Sequence, residues 1–107
     1  MTTVSYDPEQ FRIEIKGHAG MAPAGQDLAC ASVSTLVFTL MNAASAVEEY
    51  RTHIMTCKKD ACIRVECDPD QEHEQLCSEM FRTILFGFEA LQELHPEYIH
   101  LTGGYDG

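Results

Sequence analysis

Apolar and charged side chains alternate along Phe11-Arg12-Ile13-Glu14-Ile15-Lys16, the period-two pattern of a half-buried strand with one wet face. Residues 2–7 form a shorter strand candidate before it, and Asp7-Pro8-Glu9-Gln10 carries turn chemistry between the two. The period then changes. From Asp27 to about Tyr50 the chain reads as a long helix, with Leu28, Ser32, Leu36, Leu40 and Ala43 in one row and Ala29, Val33, Val37 and Met41 in another. A helix apolar over most of its circumference is expected to be buried. Its polar tail, Val47-Glu48-Glu49-Tyr50-Arg51, is expected to emerge into solvent.

Two short strands follow, over 53–58 and 61–68, joined by a tight turn near Lys58-Lys59-Asp60. In the second, Ile63, Val65 and Cys67 alternate with Arg64, Glu66 and Asp68, again one buried and one exposed face. Asp68-Pro69-Asp70-Gln71 opens a second helix, with Asp68 as cap, proline at the first helical position and Gln71 three after the cap. Leu76, Met80, Ile84, Phe88 and Leu91 form its apolar stripe, widened by Phe81 and Leu85, and Pro96 ends it. Tyr98-Ile99-His100-Leu101-Thr102 supplies a last edge strand. The order ββαββα(β) predicts an α+β two-layer sandwich, a mostly antiparallel sheet with two helices on one face.

Composition narrows the class. The 107 residues, 45 % hydrophobic and 22 % charged, fit one globular domain spanning 1–107. No window is apolar enough for a membrane span, and Met1-Thr2-Thr3-Val4-Ser5-Tyr6-Asp7 lacks the basic and apolar regions of a signal peptide. A cytoplasmic location is expected. The formal net charge of −10 argues against nucleic acid as a direct partner, because that binding neutralises phosphates with Lys and Arg. It favours a basic partner. Five cysteines, an odd number with no export signal, make a disulfide framework unexpected. Cys57-x4-Cys62-x4-Cys67 lacks the paired spacing of a structural zinc site, and reduced cysteines packed as small hydrophobes are the simpler expectation for these and Cys77. No cofactor and no metal is expected. His53, His73, His95 and His100 read as solvated polar residues.

Candidate chemistry sits between the second strand and the first helix. His18, flanked by Gly17 and Gly20, follows the strand; Cys30 lies at the helix start; Gly20-Met21-Ala22-Pro23-Ala24-Gly25 is a small-residue loop between them. A thiol at a helix N-terminus feels the positive end of the macrodipole, which with a nearby imidazole lowers a free thiol pKa of about 8.5 to ~3.5–7.5. His18 is the candidate base and Cys30 the candidate nucleophile. Asp27, Cys30 and Ser34 share one helix face at i, i+3 and i+7, so Asp27 and Ser34 are supporting candidates. The loop 20–25 is a candidate lid for a peptide. A plainer reading has Asp27 capping the helix, Ser34 bonding back to a carbonyl and Cys30 filling space.

Gly17-His18-Ala19 and Gly25-x-Asp27-x-x-Cys30-Ala31-x-Val33-Ser34 resemble the ribosomal-processing cysteine protease family, and the resemblance runs over nearly the whole chain. It implies a small cytosolic endopeptidase that removes the N-terminal extension of a large-subunit ribosomal protein and that commonly forms homodimers. It also implies His18 and Cys30 as the dyad, with Asp27 and Ser34 as further motif positions. Two other readings remain open from the residues: a non-catalytic ribosome-associated binding module of the same fold, and a metal or redox protein built on Cys57, Cys62 and Cys67.

Overall fold

The computed structural model describes residues 1–17, 28–57 and 61–103 and, of residues 28–30, 57 and 103, the backbone alone. Strands β1 (Thr2–Asp7), β2 (Arg12–Lys16), β3 (His53–Cys57), β4 (Cys62–Glu66) and β5 (Ile99–Gly103) make one sheet in the order β3-β4-β2-β1-β5. Three of the pairings are antiparallel, and β1 with β5 is parallel. Helices α1 (Leu28–Ala46) and α2 (Glu74–Leu94) complete the expected α+β layers.

Register separates the two faces of the sheet. Val4 lies opposite Ile15, Tyr6 opposite Ile13, and Ile13 opposite Val65, so one face is a continuous apolar surface. Val33, Val37, Leu40 and Ala44 from α1 and Phe81, Ile84, Leu85 and Phe88 from α2 join it in one core. The Tyr6 and Phe81 rings meet at 5.3 Å between centroids, an ordinary aromatic contact distance. The opposite face is polar: Ser5, Glu14 and Arg64 stand side by side across three strands. The β1–β2 turn is held by the Asp7 carboxylate, which accepts from the backbone N–H groups of Glu9 at 3.0 Å and Gln10 at 3.3 Å.

Several expectations are corrected. The first helix ends at Ala46, because Val47 takes an extended conformation. A 3-10 turn (Glu48–Tyr50) then returns Tyr50 to the core rather than out to solvent. Nor is α1 buried all round: Phe38 is 61 % exposed, because the sheet and α2 cover one side of the helix only. The second helix is capped by Asp70, not Asp68. Asp70 accepts from the His73 backbone N–H at 3.0 Å and opens a 3-10 turn (Gln71–His73) that leads into α2, while Asp68 instead pairs with Arg51. Within α2, Leu76 is 60 % exposed and its neighbour Cys77 is buried. A row spaced by four drifts by about 40° per step around a helix of 3.6 residues per turn, so Leu76 leaves the stripe and Cys77 takes the inward place. Pro96 lies just past the end, where the His95 N–H closes onto the Leu91 carbonyl at 2.8 Å. Strand β5 takes an edge as expected. Among the described residues no helix is long and apolar enough to cross a membrane.

Candidate active site

Strand β2 is the central strand, and its last turn of chain is Gly17. Gly17 has φ +86, and its N–H donates to the Ala61 carbonyl at 3.1 Å. A Cβ there would stand 2.4 Å from the Met1 carbonyl oxygen. No other residue type combines that φ with that approach. Gly17 therefore fixes the direction in which the chain leaves β2. His18, the loop Gly20, Met21, Ala22, Pro23, Ala24 and Gly25, and Asp27 lie outside the described residues.

Cys30 is the third residue of α1, within its first turn. The backbone N–H groups of that turn have no intrahelical acceptor and carry the positive end of the dipole. Ser34 follows four residues later on the same helix and is exposed, so the face of α1 shared by Cys30 and Ser34 is open to solvent at Ser34. The structure thus supports the helix-start position of Cys30 and the accessible position of Ser34. Along the seam of α1 and α2, Ser32, Thr35, Leu36, Gly87 and Leu91 line a shallow depression of about 310 Å³. Gly87 makes that seam narrow, since a Cβ on it would meet Leu36 Cδ2 at 2.8 Å.

The strand entering the site is electrostatically quiet. Arg64 donates to Glu14 through Nε at 2.9 Å and Nη2 at 2.7 Å, and Lys16 Nζ lies 3.1 Å from the other Glu14 oxygen. The bond from Arg64, more than burial opposes it, holds the Glu14 carboxyl below the usual range.

Of the three spaced cysteines, Cys57 and Cys62 stand opposite each other across β3 and β4, and Cys67 lies apart from them. Cys62 opens β4 and Cys67 follows its end, about 17 Å apart at the rise of an extended strand, so the two do not share a metal. Among the described residues no group of three His, Cys, Asp or Glu side chains is arranged to hold one. His73 is not a solvated residue: Nδ1 meets Asp70 and Nε2 meets Glu49 at 3.3 Å. The Asp70/His73 spacing of three was the signal for it. Cys67 and Cys77 are free thiols buried in the core, packed as small hydrophobes.

The family model for cysteine protease Prp matches residues 1–100. The chain belongs to the Prp family of cysteine proteases. Its fold is similar to that of the essential ribosomal processing protease Prp from S. aureus, solved with a covalently linked product peptide, at TM-score 0.81 and 22 % identity, covering 96 % of this chain and 99 % of that one. The same S. aureus protease solved with a substrate peptide gives TM-score 0.72 at 18 % identity, over 95 % of this chain and 96 % of that one. SMU.848 from Streptococcus mutans gives 0.71 at 24 % identity, over 95 % of this chain and 90 % of that one. A search of curated proteins finds no sequence match. As a Prp-family member the chain is a cysteine protease, and the non-catalytic module reading is set aside.

Proposed function

We propose that this Prp-family protease is a cytoplasmic endopeptidase, a single domain over residues 1–107, that removes the N-terminal extension of a large-subunit ribosomal protein. In this reading His18 and Cys30 form the dyad, Asp27 and Ser34 support it, and Gly20 to Gly25 cover the bound peptide. His18 takes the proton of the Cys30 thiol, and the thiolate sulfur attacks the scissile carbonyl carbon. The oxyanion that forms is met by N–H groups of the first turn of α1. The tetrahedral adduct collapses, the C–N bond breaks, and the imidazolium gives its proton to the leaving amine. His18 then draws a proton from water, the hydroxide attacks the thioester, and the acid leaves as Cys30 regains its proton. No cofactor takes part.

The observation that carries the reading is the position of the Cys30 backbone in the first turn of α1, in a chain matched by the cysteine protease family over residues 1–100. The net charge of −10 supports a basic substrate, and the homodimer is expected from the family resemblance. Alkylation rates against pH, for wild type, His18→Ala and Cys30→Ser, test the dyad, with cleavage of an extended ribosomal-protein N-terminus followed in parallel. The expected result is one fast thiol, lost in Cys30→Ser and slowed in His18→Ala, with cleavage abolished in both. A Cys30 that reacts like an ordinary thiol even with peptide bound overturns the reading.

A further inference from the structure

Helix α1 carries no charged side chain. All 19 residues of Leu28–Ala46 are apolar or neutral, in a chain whose seventeen acidic and seven basic residues therefore lie elsewhere. One flank of the helix is also open. Ser32, Thr35 and Leu36 border the seam with α2. Phe38, two positions after Leu36 and so about 200° further round the helix, lies on the flank turned away from that seam. It is 61 % exposed, and Ala31, Ser34, Asn42 and Ser45 are exposed with it. These five follow one another at steps of three, four, four and three, which keeps them on one face. Thr35 and Thr39, at its margin, return their hydroxyls to the Ala31 and Thr35 carbonyls at 3.0 Å and 2.7 Å, so neither needs water as an acceptor. The exposed face of α2 is built differently. There the Arg82 guanidinium stands over the Phe86 ring at 5.9 Å, and Glu79 and Glu93 are exposed on the same face.

We propose that this flank of α1 is the surface on which a second copy of the chain docks, with the two α1 helices antiparallel and crossing at Phe38. Symmetry selects a second copy over another partner. Ser34 and Asn42 lie four residues to either side of Phe38, and Ala31 and Ser45 seven. A two-fold axis at Phe38 therefore sets each Phe38 ring against its counterpart, Ser34 of one protomer against Asn42 of the other, and Ala31 against Ser45. The small side chains beside the ring let the helix axes approach to about 8–10 Å, and the antiparallel arrangement brings opposite ends of the two dipoles together. Charge selects the same occupant. Each copy carries −10, so two copies repel wherever carboxylates face each other, and a charge-free flank is where they meet at least cost. A basic partner gains nothing there, because the flank offers it no carboxylate. The inference rests on the homodimer expected of the protease reading and adds the surface that forms it.

Equilibrium sedimentation of the full-length chain over a range of concentrations tests the surface, for wild type, Phe38→Glu and Phe86→Glu, with folding checked by far-UV circular dichroism. Wild type is expected to be a dimer. Phe38→Glu sets two carboxylates at the axis and is expected to raise the dissociation constant about 30-fold or more, the loss typical of a central aromatic anchor. Phe86→Glu, comparably exposed but on α2, is expected to leave it unchanged. A charge pair checks the register: Ser34→Lys weakens the dimer, and Asn42→Asp added to it restores the dimer, because the two positions meet across the axis. Within one chain they stand about 12 Å apart along the helix and do not pair. Wild type that stays monomeric overturns the homodimer and this surface with it, and leaves the cleavage assay of Cys30 as it was. A dimer that survives Phe38→Glu, or that Phe86→Glu breaks instead, overturns the surface and leaves the homodimer standing. Should Phe38→Glu fail to fold, the charge pair decides alone: a double variant that associates no more tightly than Ser34→Lys overturns the proposal.

Discussion

Gly17 shows how much a single residue contributes to the site. As a sequence feature it is one glycine beside a histidine, and flexibility is all that it suggests. In the folded chain it holds φ +86 with its α-carbon face against the Met1 carbonyl, so the requirement is for a missing Cβ rather than for mobility. Gly17→Ala combines an unfavourable φ with a steric overlap onto backbone that has nowhere to go. It should destabilise the protein by about 1–3 kcal/mol, read as a lowered urea midpoint. Because the displaced residue precedes His18, cleavage should fall at temperatures where the variant remains folded. An unchanged midpoint would mean that β1 can shift to admit the methyl. The position of Cys30 in the first turn of α1 was legible in the sequence by residue type and spacing. The Arg64–Glu14 ion pair was not, because it joins residues fifty apart on two strands whose pairing no local pattern encodes.

At the scale of elements, period decides well where it is long and poorly at its ends. The stripe Phe81, Ile84, Leu85, Phe88 of α2 lies in the core as its spacing indicates, whereas Leu76, one turn earlier, is exposed. The difference is helical precession: at 3.6 residues per turn a row spaced by four drifts by about 40° each step, so three steps before Phe88 Leu76 has turned out of the stripe, while Cys77 stays in line with Phe81, Ile84 and Phe88. Phe88→Ala should cost about 3–5 kcal/mol through a core cavity, and Leu76→Ala should stay within about 0.5 kcal/mol of wild type; chemical denaturation separates the two. The same junction carries a pH-dependent clasp. His73 bridges Asp70 and Glu49, and Asp70 first, by its hydrogen bond, raises the His73 pKa, while His73 lowers that of Asp70. The raised imidazole contributes stability that is complete below its unfolded pKa of about 6.5 and fades as pH rises through the folded value. The lowered carboxyl contributes stability that is present above its unfolded pKa and fades as pH falls through the folded one. The clasp is therefore at full strength between the unfolded values of about 3.9 for Asp70 and about 6.5 for His73, and fades outside that window. Unfolding curves of His73→Gln and wild type should differ there and converge on the alkaline side. A constant difference across pH would leave packing, not charge, as the role of His73.

Across the whole molecule, class was legible and strand order was not. Alternation in 11–16 and 61–68 and the two helical stripes together imply helices over one face of a sheet. Yet the order β3-β4-β2-β1-β5, with β5 parallel to β1, depends on long-range pairings that a local period cannot rank. Charge is the other property that belongs to the molecule as a whole. Seventeen acidic residues against seven basic ones surround any approaching peptide with a negative potential, which under the proposed function would draw in a basic ribosomal-protein segment before contact. That attraction acts through solvent, so salt weakens it; the screening length shrinks from about 30 Å at 0.01 M to about 8 Å at 0.15 M. The chemistry at the thiol does not depend on it. Raising ionic strength should therefore lower kcat/KM for a basic precursor while kcat at saturation holds steady, and a precursor whose lysines and arginines outside the cleavage site are replaced by glutamine should lose most of the salt dependence. Equal salt sensitivity for both substrates would locate the effect in the enzyme's own stability and remove the acidic surface from substrate capture.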